Sequence, residues 1–309
     1  MAEITDVSII MPVKNGGEYL PSNLSSIFCQ MTKLSFEVIC VDSGSTDNSL
    51  DIIKKFNIRL VQIKPEEFKH GATRNMGAGM AKGKYLVFIN QDAVPVNNNW
   101  LENLVSPLIT NNEIAGVYSM QIPRPDCYAF VRKEIDDTFN DKEHIVTGID
   151  YKKGGYFRRR KMIFFSTVSA VIRKDVWGKH PFDDKLLFAE DQAWAKEILE
   201  NGYAIAYSPD SKVYHSHNYN FKDWFKLKCI SFMTFSVLFR KTPVNLLLIL
   251  PLMFGEITGN LIYVIGQNAP FWIKIREIMR SIIAPIISAA ARLCAGINML
   301  SGDKINYAK

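Results

Sequence analysis

The sequence predicts an α/β fold with a mostly parallel central sheet flanked by helices, and three observations carry that prediction. Short apolar runs, Val7 to Pro12 (VSIIMP), Phe36 to Val41 (FEVICV) and Leu86 to Ile89 (LVFI), each break off into polar or acidic residues. Helix-like patterns follow the first two, from Tyr19 to Gln30 and from Ser49 to Phe56. Strands separated by helices pair in parallel, and the crevice of such a sheet lies at the strands' common end.

Each strand end offers chemistry. Pro12 and Val13 close the first run ahead of the loop Lys14-Asn15-Gly16-Gly17, with Pro12 fixing the exit direction. The second run ends in Asp42-Ser43-Gly44-Ser45-Thr46-Asp47. Asp42 there is either a ligand carboxylate or the start of an Asx turn or helix cap, a role that Ser45 or Asp47 fills more naturally. The third run ends in Asn90-Gln91-Asp92. A buried strand that delivers a lone carboxylate to its edge is a way to set a divalent cation against a phosphate. The competing reading is a turn, which Asn and Asp also favour.

Further along, Glu190-Asp191 stands ahead of the helical pattern Gln192 to Asn201, which Gly202 stops. Paired acids at that point also suit the helix dipole alone. In Lys212 to Tyr219 (KVYHSHNY), His215 and His217 alternate, so a strand would project both imidazoles from one face, as metal ligands or as a partly buried polar pair. Tyr151 to Lys161 gathers six cations around two glycines. This is either a solvated loop or a set of forks for phosphate oxygens.

With 309 residues and 48% hydrophobic content, the chain has ample material for a core. Cys29, Cys40, Cys127, Cys229 and Cys294 are widely spaced without a CxxC pair, which argues against a disulfide framework or zinc knuckle. The N-terminal sequence has no secretory pattern, so a cytoplasmic active domain is expected. Residues 1 to 219 carry 26 Lys/Arg against 27 Asp/Glu, whereas residues 220 to 309 carry 11 against 4, so the positive excess lies in the tail. There it is mixed with apolar side chains, which does not suit nucleic acid. The runs Leu246 to Gly255, extended past Glu256 to Ile265, and Ser281 to Ala291 are apolar but interrupted by Glu256, Asn260 and Arg292, so monotopic attachment is expected rather than a clean transmembrane anchor. Phe221 to Lys241 mixes Trp224, Phe225 and Phe232 with Lys222, Lys226, Lys228 and Arg240. These features predict a helical tail, residues 221–309, that lies on an anionic membrane surface or serves as a homo-oligomer interface.

In order and spacing, the motifs VSIIMPVKNGGEYL, VDSGSTDNS, HGATRNMGA, FINQDA and AEDQAWAKEILENGY resemble the family 2 inverting glycosyltransferases of the GT-A fold, over roughly residues 6 to 220. FKHGATRN, NQDAVP and AEDQAWA are especially similar to the bacterial rhamnosyltransferases of surface polysaccharide synthesis. The resemblance implies a Rossmann-like GT-A domain over residues 1–220. It also implies a dTDP- or UDP-sugar donor, best guess dTDP-L-rhamnose, and a glycan or lipid-linked acceptor. It places Pro12, Val13, Asp42, Arg74, Asn90, Gln91 and Asp92 around the donor. Mg²⁺ or Mn²⁺ would sit on Asp92 and His215, and Asn90 replaces the first acid of the family's Asp-x-Asp element. Asp191 is implied as the base that deprotonates the acceptor hydroxyl, with Glu190 positioning the acceptor. Work at the cytoplasmic face of the inner membrane would follow. A nucleotidyltransferase fits poorly because the first loop lacks a glycine-rich basic stretch, and a non-catalytic nucleotide-sugar-binding module is the other class.

Overall fold

The computed structural model describes residues 5–239 and 246–301, so Arg240 and Lys241 of the basic aromatic segment lie outside the described residues. The chain divides into two compact units. One comprises Met1–Ile122 with Phe139–His215, the other Pro123–Thr138 with Ser216–Lys309.

The first unit opens with β1 (Val7–Val13), α1 (Leu20–Phe28), β2 (Phe36–Asp42), α2 (Ser49–Ile53) and β3 (Arg59–Gln62). It continues through α3 (His70–Met80), β4 (Tyr85–Ile89), β5 (Val94–Pro95), α4 (Trp100–Thr110) and β6 (Ile114–Ile122). After α5 (Ala129–Thr138), which belongs to the second unit, come β7 (His144–Thr147), α6 (Gly148–Lys153) and α7 (Tyr156–Met162). The unit closes with β8 (Ser169–Arg173), α8 (Lys174–Trp177), α9 (Glu190–Glu200) and β9 (Ala204–Tyr214).

Among the described residues these strands form one nine-stranded sheet, ordered β3-β2-β1-β4-β8-β6-β9-β5, with β7 on β9. The β3-β2-β1-β4 side is parallel throughout, with Val13 opposite Asp42 and Ile10 opposite Phe88. Then β8 enters antiparallel between β4 and β6. This is the α/β, Rossmann-like sheet that the apolar runs predict, with an antiparallel strand that they do not. Burial explains why β1 and β4 read as unbroken apolar runs rather than alternating ones. Val7, Ile9, Ile10, Met11, Leu86, Val87 and Phe88 are all fully buried, as strands covered on both faces require. The helices end earlier than the sequence pattern suggests, α1 at Phe28 and α2 at Ile53. Trp100, fully buried at the start of α4, donates its indole N–H to Ser169 Oγ at 3.0 Å and so ties that helix to β8.

The second unit joins α5 to α10 (Phe221–Phe239), α11 (Leu246–Gly266) and α12 (Phe271–Ser301). Its core gathers Cys127, Phe130, Val131, Trp224 and Ala284, and Trp224 donates to Ser288 Oγ at 3.2 Å. The two apolar runs of the tail are single helices that pass through Glu256, Asn260 and Arg292 without a break. Leu248–Gly266 and Phe271–Asn298 are therefore long and apolar enough to cross a membrane, by length and composition only.

Candidate active site

Loops leave the sheet where its parallel strands end, and side chains lock the first of them, after β1, to its neighbours. At the end of β1, Asn15 adopts a left-handed backbone (φ 49°) and its Oδ1 accepts Thr46 N–H at 2.8 Å. Gly16 and Gly17 donate to Ser49 Oγ (2.8 Å) and Asp47 Oδ2 (3.0 Å). Gln91 pairs with Lys14 in both senses, its Oε1 accepting the Lys14 N–H and its Nε2 donating to the Lys14 carbonyl, each at 2.9 Å. A side chain at Gly16 would put Cβ 2.6 Å from that same Oε1, so it would push the Gln91 amide off Lys14. Pro12 and Val13 form the floor of this edge, the Val13 carbonyl accepting Ser43 N–H at 2.9 Å.

Asp42 is fully buried, and its carboxylate accepts the N–H groups of Gly44 (3.1 Å) and Ser45 (3.2 Å) together with the Ser45 hydroxyl. The turn-forming role expected of Ser45 or Asp47 is thus filled by Asp42 itself, while Asp47 caps Ser49 at 3.0 Å. Two strand spacings of about 4.8 Å separate Asp42 from the β4 edge, about 10 Å in all.

Around β4 a denser cluster forms. Arg74 on α3 is only 3% exposed, with one guanidinium nitrogen 2.5 Å from Glu190 Oε1 and another 2.9 Å from Asn90 Oδ1. The amide at position 90, where the family pattern has an acid, therefore takes a neutral share of a charge that Glu190 already balances. Arg74 Nε and Thr73 Oγ1 are buried without a hydrogen-bond partner. A cavity of about 220 Å³ opens here, lined among others by His70, Arg74, Asn90, Phe188, Glu190 and Asp191. Burial first, then the Arg74 charge, hold the His70 imidazole below its usual pKa against an opposing pull from Glu190.

Asp191 sits at the start of α9, behind Ala189 in the left-handed region (φ 58°), a strained conformation for a residue with a Cβ. The helix begins at Glu190, two residues before the sequence pattern places it. Burial and the neighbouring Glu190 charge push the Asp191 carboxyl up to about 7. Hydrogen bonds from Thr167 N–H (3.1 Å) and Gln192 N–H (2.8 Å) pull the other way, as does Arg74. A carboxylate poised near neutrality in a cavity is suited to accept a proton.

Asp92 and His215 meet across the edge, His215 Nε2 standing 3.7 Å from Asp92 Oδ2. β9 ends at Tyr214, so His215 lies just beyond the strand rather than on its face, and His217 belongs to the second unit. The Gln121 amide donates to Ser166 Oγ at 3.0 Å and turns its Oε1 to His215 Nδ1 at 2.9 Å. With its proton on Nδ1 toward Gln121, the imidazole would turn Nε2 to a cation held beside Asp92. One carboxylate and one oriented imidazole make a donor set suited to Mn²⁺ or another borderline divalent ion, with open positions for other oxygens.

The structure therefore brings Arg74, Asn90, Glu190 and Asp191 into one cavity, pairs Asp92 with His215, ties Gln91 to Lys14 in the loop after β1, and gives Asp42 hydrogen bonds within its own loop. Thr167, His70 and Gln121 join the site without having been singled out by the sequence. His70 stood inside the HGATRN motif, whereas Thr167 and Gln121 carry no motif at all.

A strand-end cavity on a sheet of this order defines a GT-A-type α/β domain. The chain belongs to Glycosyl transferase family 2, which it matches over residues 8–180. It is 30% identical over 214 residues to the O-antigen chain rhamnosyltransferase WbaN of Salmonella anatum, a match covering 69% of this chain and 66% of that protein. The chain thus spans just under two thirds of that relative. Its fold is similar to S. aureus TarS 1-349 in complex with UDP (TM-score 0.55, 18% identity, 90% of this chain and 70% of that one). It is also similar to mannosyltransferase PcManGT from Pyrobaculum calidifontis in complex with GDP-Man and Mn²⁺ (TM-score 0.55, 15% identity, 99% and 78%).

Proposed function

We propose that this protein is an inverting glycosyltransferase that moves a sugar, best assigned as rhamnose from dTDP-L-rhamnose, onto a hydroxyl of a growing, lipid-linked cell-surface glycan. The observation that carries the reading is Asp191, whose carboxyl is raised to about 7 in a cavity it shares with a buried arginine. Such a group deprotonates an acceptor hydroxyl as it attacks the anomeric carbon, and a single displacement inverts that centre. Arg74, whose charge Glu190 balances, lines the same cavity with its buried Nε–H still without a partner, a fixed donor for an oxygen of the departing diphosphate. Asp92 and His215 would hold Mg²⁺ or Mn²⁺, which when bound neutralises charge on the leaving diphosphate. Pro12, Val13 and Asp42 form the edge assigned to the pyrimidine base, and Gln91 shapes the loop beside it.

The rhamnosyltransferase relative supports the donor sugar, and with it a dTDP-linked pyrimidine donor. The tail's exposed apolar side chains on α11 and α12 support attachment to the cytoplasmic face of a membrane, where a lipid-linked acceptor resides. A transfer assay with labelled dTDP-L-rhamnose and a lipid-extracted glycan acceptor tests the reading, beside a thermal-shift panel of UDP-, dTDP- and GDP-sugars with and without Mn²⁺. Transfer by the wild type and none by Asp191→Asn, with donor binding retained, is the expected result. A response to GDP-sugars alone would overturn the pyrimidine assignment.

A further inference from the structure

The second unit holds a cavity that the transfer reaction does not use. It measures about 320 Å³, within the usual range of about 300–1,000 Å³ for small-ligand sites. Its walls come from α5, the end of α11, the turn after it and the first turns of α12. Arg132, Lys274 and Arg276 line it, together with Asp126 and Glu277.

The charges are not equivalent. Glu277 is 8% exposed and committed elsewhere, for its carboxylate accepts the Ala129 N–H at the start of α5 (2.9 Å) and Arg280 (2.6 Å), with Arg276 3.5 Å away. Arg280 in turn stacks 3.7 Å above the Tyr128 ring. Two arginines therefore share one acid. Arg132 is tethered to the Arg124 carbonyl (2.6 Å) and Lys274 to the Ile265 carbonyl (3.1 Å). Among the described residues neither has a carboxylate within ion-pair distance. Main-chain carbonyls hold these two cations in place, and with Glu277 taken up by Arg276 and Arg280, Asp126 is the acid on the wall left against the two, so among the described residues the seat keeps a net positive charge.

What surrounds the seat is apolar. Ile273 lines the cavity and is 42% exposed, and beside it Phe271 and Trp272 are 69% and 78% exposed. α11 leads away from the turn with Ile262 and Ile265 open to solvent. An anion that fits such a place carries a hydrocarbon chain, its head on Arg132 and Lys274 and its tail along Ile273 and Trp272. We propose that this cavity binds the phosphate or diphosphate head of a lipid. The inference deepens the membrane-associated reading of the tail and rests on it.

Calorimetry on the full chain with monomeric dihexanoylphosphatidylglycerol and with farnesyl diphosphate tests the site, and vesicle sedimentation tests the membrane reading separately. The expected result is saturable one-to-one binding of at least one soluble probe. Arg132→Gln with Lys274→Gln should weaken it roughly 30-fold, about fivefold for each charge removed. Tighter binding of the diacyl probe would identify a bilayer lipid as the occupant, and of the prenyl diphosphate an isoprenoid carrier. Lys222→Gln with Lys226→Gln removes the same charge from α10 and should leave the soluble-probe affinity within about threefold, well short of the tenfold that 1.4 kcal/mol represents. The single Lys274→Gln, milder for folding, should give an intermediate loss. If wild type sediments with phosphatidylglycerol vesicles yet binds neither soluble probe, or binds them as well after the Arg132/Lys274 change, this site is wrong and the membrane reading stands. If it sediments with no vesicle, the membrane reading falls too.

Discussion

Asp191 carries the sharpest consequences at the scale of single residues. With its carboxyl raised to about 7, only the deprotonated form acts as base, so kcat/KM should climb as pH rises through 7 and level above it. Asp191→Asn should abolish that limb and lower kcat about 10²- to 10⁴-fold while nucleotide-sugar affinity is kept. A pH-independent residual rate in the wild type would remove Asp191 from the role. The same shift has a stability side. A carboxyl whose folded pKa lies above its unfolded 3.8 favours folding most below that value, and the advantage is lost as pH rises through about 7. Glu190 acts on both properties. Its charge raises Asp191 and balances the buried Arg74, so Glu190→Gln should move the rate limb to lower pH. Stability should drop by about 3–5 kcal/mol, the usual cost of stranding one partner of a buried pair, read from denaturant unfolding. Residues at this scale were unevenly legible. Arg74, Asp92, Asp191 and His215 stand in spaced motifs, but Gln121 meets His215 across 94 positions of chain, and only the pairing of β6 with β9 brings them together.

At the scale of elements, close approach of backbones decides which glycines matter. On α3, Gly79 has nothing within 4 Å of where a Cβ would stand, whereas at Gly83 that Cβ would lie 2.6 Å from the Val7 and Ser8 main chain. Gly83 also donates to Ser8 Oγ at 2.8 Å, so the turn into β4 is pressed against β1. Gly79→Ala should therefore stabilise by up to about 1 kcal/mol through helix propensity. Gly83→Ala should destabilise by about 1–3 kcal/mol, because backbone cannot yield as a side chain does. Chemical denaturation of the two variants checks both signs, and equal effects would contradict the packing described. The parallel half of the sheet was readable because β1, β2 and β4 are covered on both faces and appear as apolar runs. The insertion of β8 was not, since SAVIR is an apolar run like the others and a run carries no sign of its direction. That strand brings Val168 beside Asn90, whose N–H donates to the Val168 carbonyl at 3.0 Å, and Thr167 beside Asp191, so the missed element is also the one that completes the cavity.

For the molecule as a whole, the uneven charge was plain in the sequence, since residues 1 to 219 are nearly neutral and the tail holds the positive excess. What the tail covers was not plain, because helices with exposed apolar faces meet the same composition whether they lie on lipid or on another chain. The nucleotide end is more tractable, because any ligand that binds only the folded state raises stability by mass action. UDP at 100 times its Kd should add about 2.7 kcal/mol, or several degrees of melting temperature. If Asp92 and His215 hold a cation that also meets the diphosphate, Mn²⁺ must tighten UDP by the same factor by which UDP tightens Mn²⁺. The melting shift with both present should then exceed the sum of the shifts with each alone. Asp92→Asn and His215→Ala should reduce it to that sum while leaving part of the UDP shift, because Arg74 and the β1 and β2 edge are untouched. Asp191→Asn should preserve the full coupling, since in the proposed reaction Asp191 serves the acceptor hydroxyl and not the nucleotide. A coupling that survives Asp92→Asn would place the cation elsewhere, and a coupling lost in Asp191→Asn would mean that the base and the metal site are not separate as the geometry of Asp92 with His215 and of Asp191 with Thr167 requires.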